Sequence, residues 1–174
     1  MDNETLRVLR TRRSIRHFKS DPVSREDLES VLEAGTYAPT GHGTQEPWIV
    51  AVLDPDLQAE LREMNAALLG TDKDPYYGAP VIVLVFADPA IENAVKDGSL
   101  VLGNMMNAAH SIGLGSCWIN REDKMFAREE GKKILRRFNL PEDVIGIGAL
   151  ALGYPSRPAR EAAPRKEGYW RIIG

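Results

Sequence analysis

Cysteine and histidine are scarce in this chain, with one of the first and three of the second in 174 residues. Cys117 alone cannot close an internal disulfide. His17, His42 and His110 stand apart, without a Cys-x-x-Cys or HExxH partner, so no metal centre is expected. Aromatic residues make up 7%, none interleaved with a basic stripe, and the isoelectric point lies near 5.7, which argues against a nucleic-acid partner. There is no apolar run of about 18 residues and no basic-then-apolar leader, so no membrane partner is expected and the cytoplasm is the default compartment.

Several nucleotide and hydrolase signatures are missing too. Gly146-Ile147-Gly148 is followed by Ala151 where a dinucleotide fingerprint needs a third glycine, and it lies within a strand pattern rather than opening a helix. Gly131-Lys132 lacks both the upstream glycine and the following Ser or Thr of a phosphate loop. No Gly-x-Ser-x-Gly elbow occurs, and Cys117 sits in an apolar strand pattern with no base beside it, so a structural role suits it better than a nucleophilic one.

What is present describes one domain over residues 1–174, with 43% hydrophobic and 27% charged residues and no linker or repeat. A domain near this size hides roughly 70% of its unfolded surface. Asn3 precedes a helical pattern over residues 4–11, and Ser24 with Glu26 and Asp27 opens a second helix that Gly35 suits as an end. Residues 48–53 and 81–87 read as strands; their lack of polar alternation predicts cover on both faces. Leu57, Leu61, Met64 and Leu68 mark a third helix between them. Residues 97–113 are apolar on nearly all sides, predicting a central helix buried around most of its circumference and ended by Gly113 and Gly115. A strand at 116–119, a basic amphipathic helix around 126–138 and a strand at 145–152 complete an α+β domain with α/β-like layers.

Two stretches carry chemistry. Arg12-Arg13-Ser14-Ile15-Arg16 gathers three guanidinium groups and a hydroxyl in five residues of a chain whose net charge is only -3. Guanidinium forks match phosphate oxygens bidentately and keep their charge at any working pH, so the segment suits a small anion, although alone it would equally suit a solvated basic turn. Residues 38–48 form a polar, glycine-rich loop in which Thr40 and Gln45 offer directed hydrogen bonds to a planar ligand.

Taken together, Arg12–Arg16, Ala34–Pro39 with the loop to Trp48, Met64-Asn65-Ala66, the run from Gly103 to Ser116, and Leu152–Pro155 with Pro164-Arg165-Lys166 resemble the FMN-dependent nitroreductase family from residue 7 to about 170. The resemblance implies a mixed sheet flanked by helices, a long central helix, and a C-terminal tail, residues 155–174, exchanged between the subunits of a homodimer. It implies that Arg12, Arg13 and Ser14 hold the FMN phosphate together with Arg165 and Lys166. It places Arg16 nearer the ring, Thr40 and Gln45 at ribityl and ring, Asn65 at the pyrimidine edge, and Trp118, Ile119 and Asn120 over the flavin, with the Asn120 amide a donor to N5. Arg16 and Asn120 are then the tuning residues, and no protein side chain is catalytic, because the flavin carries the redox chemistry. The implied activity is ping-pong reduction of a nitroaromatic or quinone acceptor by NADH or NADPH. A non-catalytic flavin carrier or sensor, a dehalogenase and an enoate reductase are the alternatives. The chain departs from the family loop at Gly43, which stands where an asparagine is usual, and at Glu46, inserted before Pro47.

Overall fold

The computed structural model describes residues 2–174. Its elements are α1 (Glu4–Thr11), α2 (Arg25–Thr36), β1 (Trp48–Val52), α3 (Pro55–Leu69), β2 (Val81–Ala87), α4 (Ala94–Ser111), β3 (Gly115–Ile119), α5 (Glu122–Phe126), α6 (Glu129–Arg137) and β4 (Ile145–Gly153). The first three helices start where their caps require. Side-chain oxygens of Asn3, Ser24 and Asp54 accept from the backbone N–H of Leu6, Asp27 and Leu57, at 2.9, 3.0 and 2.8 Å, and satisfy donors that have no partner within the helix.

The four strands form one sheet in the order β1-β2-β4-β3, and every neighbouring pair runs antiparallel. The parallel component of the expected mixed sheet is confined, among the described residues, to one bridge between Ser14 and Ser116. Alternate residues of β2 serve opposite cores. Ile82, Leu84 and Phe86 pack with Leu57 and Leu61 of α3, Met125 and Phe126 of α5, and Ile134 and Leu135 of α6. Val81, Val83 and Val85 pack with Leu28 and Val31 of α2 and with Val101, Leu102 and Met105 of α4. Helices therefore cover both faces, which is why β2 has no polar alternation.

Four expectations need correction. Gly35 does not end α2; it is buried, and a Cβ there would come within 2.8 Å of Met105 Cγ, so its role is close packing of α2 on α4. Gly115 opens β3 instead of closing α4, which ends at Ser111 before Gly113 (φ +85°). α4 is also less enclosed than its composition suggests: Val95 and Leu100 are 59% and 47% exposed. α5 was not anticipated, and the basic helix expected around 126–138 is the shorter α6 that follows it.

Beyond Pro155 the chain forms neither helix nor strand, and residues 156–174 are exposed throughout. No helix among the described residues is long and apolar enough to cross a membrane.

Candidate functional site: a cationic clamp beside the sheet

After α1 the chain crosses the ends of two strands. Ile15 N–H donates to the Ser116 carbonyl at 2.9 Å, Lys19 N–H to the Tyr154 carbonyl at 2.8 Å, and Ser156 N–H to the His17 carbonyl at 3.0 Å. Gly115 makes this approach possible, since a Cβ there would lie 2.8 Å from Ile15 Cγ1. Residues 12–16 are thus stapled to the sheet, which holds their backbone while their polar side chains stay available.

The guanidiniums are incompletely partnered. Arg13 Nη1 donates to the carbonyls of Arg10 and Arg12 at 2.9 and 2.6 Å, but Arg13 Nε and Arg12 Nη1 are buried without an acceptor. Arg12, Arg13 and Arg16 make no ion pair among the described residues, unlike Arg7, Arg10, Arg25, Arg62, Arg136 and Arg137. A buried N–H without an acceptor is costly, and most such groups find a partner. A cavity of about 420 Å³ adjoins the segment, lined by Arg13, Ser14, Ile15, Arg16 and His17 and, from the tail, by Arg157 and Arg160.

The same positive field reaches the neighbours. Partial burial lowers the pKa of His110, and Arg12, Arg7 and Arg13 lower it further; its Nε2 lies 2.8 Å from Thr11 Oγ1. Burial raises the Cys117 thiol, against the pull of Arg16, Arg12 and a hydrogen bond with Ser14, so the thiol faces the clamp in its protonated form. Arg16 Cζ lies 5.8 Å from the centre of the Tyr77 ring, and the nearby Tyr77 raises its pKa above an already high value.

The glycine-rich loop is built separately. Gln45 N–H donates to Thr40 Oγ1 at 3.0 Å, and Gly41 N–H donates to the buried Asp97 carboxylate of α4 at 2.9 Å. The inserted Glu46 has a local purpose, because its Oε1 accepts from Asp88 N–H at the end of β2. Thr40 and Gln45 line a second cavity of about 150 Å³ with Gly35, Pro47, Ile49 and Val101. None of these residues lines the clamp cavity.

Trp118 and Ile119 are the last two residues of β3, Asn120 follows it, and Asn65 of α3 meets the chain there. Trp118 is half-buried with its indole N–H lacking an acceptor, Ile119 is buried and Asn120 is exposed. Asn65 lies wholly inside, where Nδ2 donates to the Asn120 carbonyl at 3.0 Å and to Tyr76 Oη at 3.3 Å, and Oδ1 accepts from Arg121 Nε at 2.8 Å. Its amide acts through its neighbours instead of opening to a cavity. Tyr76 in turn donates to Glu122 Oε1 at 3.0 Å. Burial lifts the Glu122 carboxyl to about 7 and pushes the Tyr76 hydroxyl well up, with Glu122 adding to the latter.

Arg165 and Lys166 stand apart from the clamp. Both are exposed, and Arg165 Nε and Nη2 donate to the nearby Ala163 carbonyl at 3.2 and 2.6 Å. The tail cations that meet the clamp within this chain are Arg157, which donates to His17 Nε2, and Arg160. Sequence reasoning passed over both, although Arg157-Pro-Ala-Arg160 directly after the last strand was a visible cue. Tyr76 and Glu122 gave no such cue, because their partners come from distant segments.

Comparison with known proteins gives one consistent result. The family model described as the nitroreductase family matches residues 9–154. A protein of Archaeoglobus fulgidus named "Putative NADH dehydrogenase/NAD(P)H nitroreductase" is 33% identical over 159 residues, covering 87% of this chain and 86% of that protein. The crystal structure of a nitroreductase with bound FMN from Bacteroides fragilis superposes with a TM-score of 0.91 at 29% identity, covering 99% of this chain and 100% of the other. A second nitroreductase with bound FMN, from Desulfitobacterium hafniense, gives a TM-score of 0.88 at 26% identity, again covering 99% and 100%.

Proposed function

This chain belongs to the nitroreductase family, and on that premise we propose that it binds FMN and acts as an NAD(P)H-dependent oxidoreductase on nitroaromatic or quinone acceptors. The observation that carries the reading is the pair of buried, unpartnered donors, Arg12 Nη1 and Arg13 Nε, in a segment whose Arg13, Ser14 and Arg16 line a cation-rich cavity. Those residues fit the cofactor's phosphate: guanidinium donors cannot shed their protons, so an anionic acceptor is what completes them. FMN held there would supply the redox chemistry, passing electrons from NADH or NADPH to the acceptor in a ping-pong sequence.

The chain's own residues do the rest. Arg12, Arg13 and Ser14 bind the phosphate, and Arg16 holds a permanent positive charge near the ring that favours extra negative charge there. Asn120 offers a donor at the ring's reactive edge, with Trp118 and Ile119 placing its backbone. Thr40 and Gln45 supply contacts to the ribityl and ring.

The assembly proposed is a homodimer. Tyr169, Trp170, Ile172 and Ile173 are 76%, 75%, 84% and 88% exposed, a concentration of apolar surface that calls for cover. Crossing of residues 155–174 to a second copy would cover it under closed two-fold symmetry and carry Arg165 and Lys166 toward a cofactor phosphate. A dimer would also let the loop of one copy meet the clamp of the other, which line separate cavities within one chain.

The test is direct. Purified protein should be yellow or become so with FMN, heat should release FMN and not FAD, and NADH or NADPH should bleach the bound flavin within seconds before a nitroaromatic or quinone restores it. Protein that stays colourless and cannot be loaded with FMN would refute the reading; loaded protein that neither nicotinamide bleaches would make it a carrier.

A further inference from the structure

The turn that bears Asn120 is held from behind by hydrogen bonds that run in one direction. Tyr76 donates its only hydrogen to Glu122 Oε1 at 3.0 Å, which leaves the phenolic oxygen free to accept from Asn65 Nδ2 at 3.3 Å. The orientation of the Asn65 amide follows. Its nitrogen faces the Asn120 carbonyl at 3.0 Å and also Glu122 Oε1 at 3.4 Å, and its oxygen faces Arg121 Nε at 2.8 Å. A flipped amide would set NH2 against a guanidinium and oxygen against a carbonyl, both in a buried place. Tyr76, Asn65 and Glu122 are 0%, 0% and 1% exposed, so water cannot substitute for a lost partner. Arg121 also needs restraint, because its φ of +87° is strained for any residue but glycine.

We propose that Glu122 is a positioning residue for the Asn120–Arg121 turn, acting through Tyr76 and Asn65 to fix the backbone that lies at the flavin's reactive edge. Its consequence for the flavin rests on the function proposed above; the relay itself does not. The groups facing Glu122 from each packed element are few, and α6, which also packs on α5, supplies no side chain that shifts it. Arg121 of the preceding turn lowers its pKa and Asp123 of its own helix raises it, α3 presents neutral Asn65, and the segment before β2 presents Tyr76. β4 presents backbone at Gly146, where a Cβ would come within 2.6 Å of the Glu122 carbonyl carbon. Burial outweighs these influences and brings the carboxyl to about 7, so the relay changes charge near neutral pH.

Three variants test this. Glu122→Gln keeps an acceptor for Tyr76 but cannot ionise, whereas Tyr76→Phe and Glu122→Leu interrupt the relay. The readouts are FMN affinity by flavin fluorescence, the visible spectrum and midpoint potential of the bound flavin across neutral pH, and the Asn65 side-chain amide resonances of the apoprotein. Glu122→Gln should bind FMN within about 2-fold of the parent and lose the inflection in potential near neutral pH. Tyr76→Phe and Glu122→Leu should weaken FMN by about 10-fold, shift the spectrum and potential, and displace the Asn65 amide resonances. Natively folded Tyr76→Phe or Glu122→Leu protein with parental affinity, spectrum and potential would overturn the proposal. If the parent takes up no FMN, the proposed function fails by itself, and the apoprotein resonances still decide the relay: displacement in Tyr76→Phe but not in Glu122→Gln supports it, and no displacement in Tyr76→Phe refutes it.

Discussion

The clamp and the Glu122 relay each contain a buried polar atom without a partner, and they differ in how that deficit can be met. Arg12 Nη1 and Arg13 Nε are donors on groups that stay protonated, so an acceptor must come from outside the chain. Glu122 Oε2 is an acceptor on a group that can take up a proton, an outcome favoured by the burial that lifts its pKa to about 7. One deficit calls for a ligand and the other for a proton. The contrast separates a binding site from its support: both are polar and enclosed, but only the first has donors that the protein cannot satisfy alone.

The largest effect should come from removing what the clamp lacks within one chain. Ending the chain after Pro155 deletes the exposed Tyr169, Trp170, Ile172 and Ile173 together with Arg157, Arg160, Arg165 and Lys166. The truncated protein should be monomeric by light scattering and should lose FMN more completely than any single arginine variant. A truncated yellow dimer would show that the clamp is complete without the tail.

On the relay side the sign of the pH effect is fixed. The carboxyl of Glu122 rises from an ordinary 4.5 to about 7 on folding, so the folded chain binds the extra proton between those values. Its contribution therefore favours the folded state below 4.5, declines as pH rises to about 7 and is constant above, a loss on the order of 3 kcal/mol. Glu122→Gln should remove that decline. Urea denaturation at both ends of this range measures it, and parallel pH profiles for parent and variant would show that Glu122 is not buried as described.

Arg12→Ala probes the clamp's own deficit at a single residue. A charge-assisted hydrogen bond contributes roughly 1.5–3 kcal/mol, so FMN affinity should fall about 10-fold to 150-fold. The melting temperature of the apoprotein should hardly change, because the deleted group has no ion pair to lose. Calorimetric titration reads the affinity; an unchanged value would make residues 12–16 a solvated turn.

The contrast also explains what could be read from sequence. Helices α1 to α3 and the strands were legible because caps at Asn3 and Ser24, the apolar spacing from Leu57 to Leu68 and continuous apolar runs are local signals. The clamp was legible for the same reason, its arginines being consecutive or nearly so. The relay was not, since Asn65, Tyr76 and Glu122 are separated by 11 and 46 residues along the chain and meet only through the packing of α3 and α5. α5 itself has five residues, too few to show a period, and follows Arg121 in a left-handed conformation that its residue type does not advertise. Gly35 and Gly115 were misread because a glycine serving close approach looks, in sequence, like one serving a turn.

The smallest effect offers the finest test of the clamp's field. His110 lies beside it, its pKa lowered first by burial and then by Arg12, Arg7 and Arg13. A bound phosphate would offset that positive charge, so FMN should move the His110 pKa upward, and the protein should take up a fraction of a proton as it binds near that pKa. Arg12→Ala should move it in the same direction without any ligand, and high salt should do so to a lesser degree because His110 is partly enclosed. NMR titration of the imidazole with and without FMN reads each shift. Upward movement with FMN in the parent, reduced in the Arg12→Ala protein, would locate the phosphate at Arg12; an imidazole that ignores FMN while the protein turns yellow would place the cofactor's anionic end elsewhere.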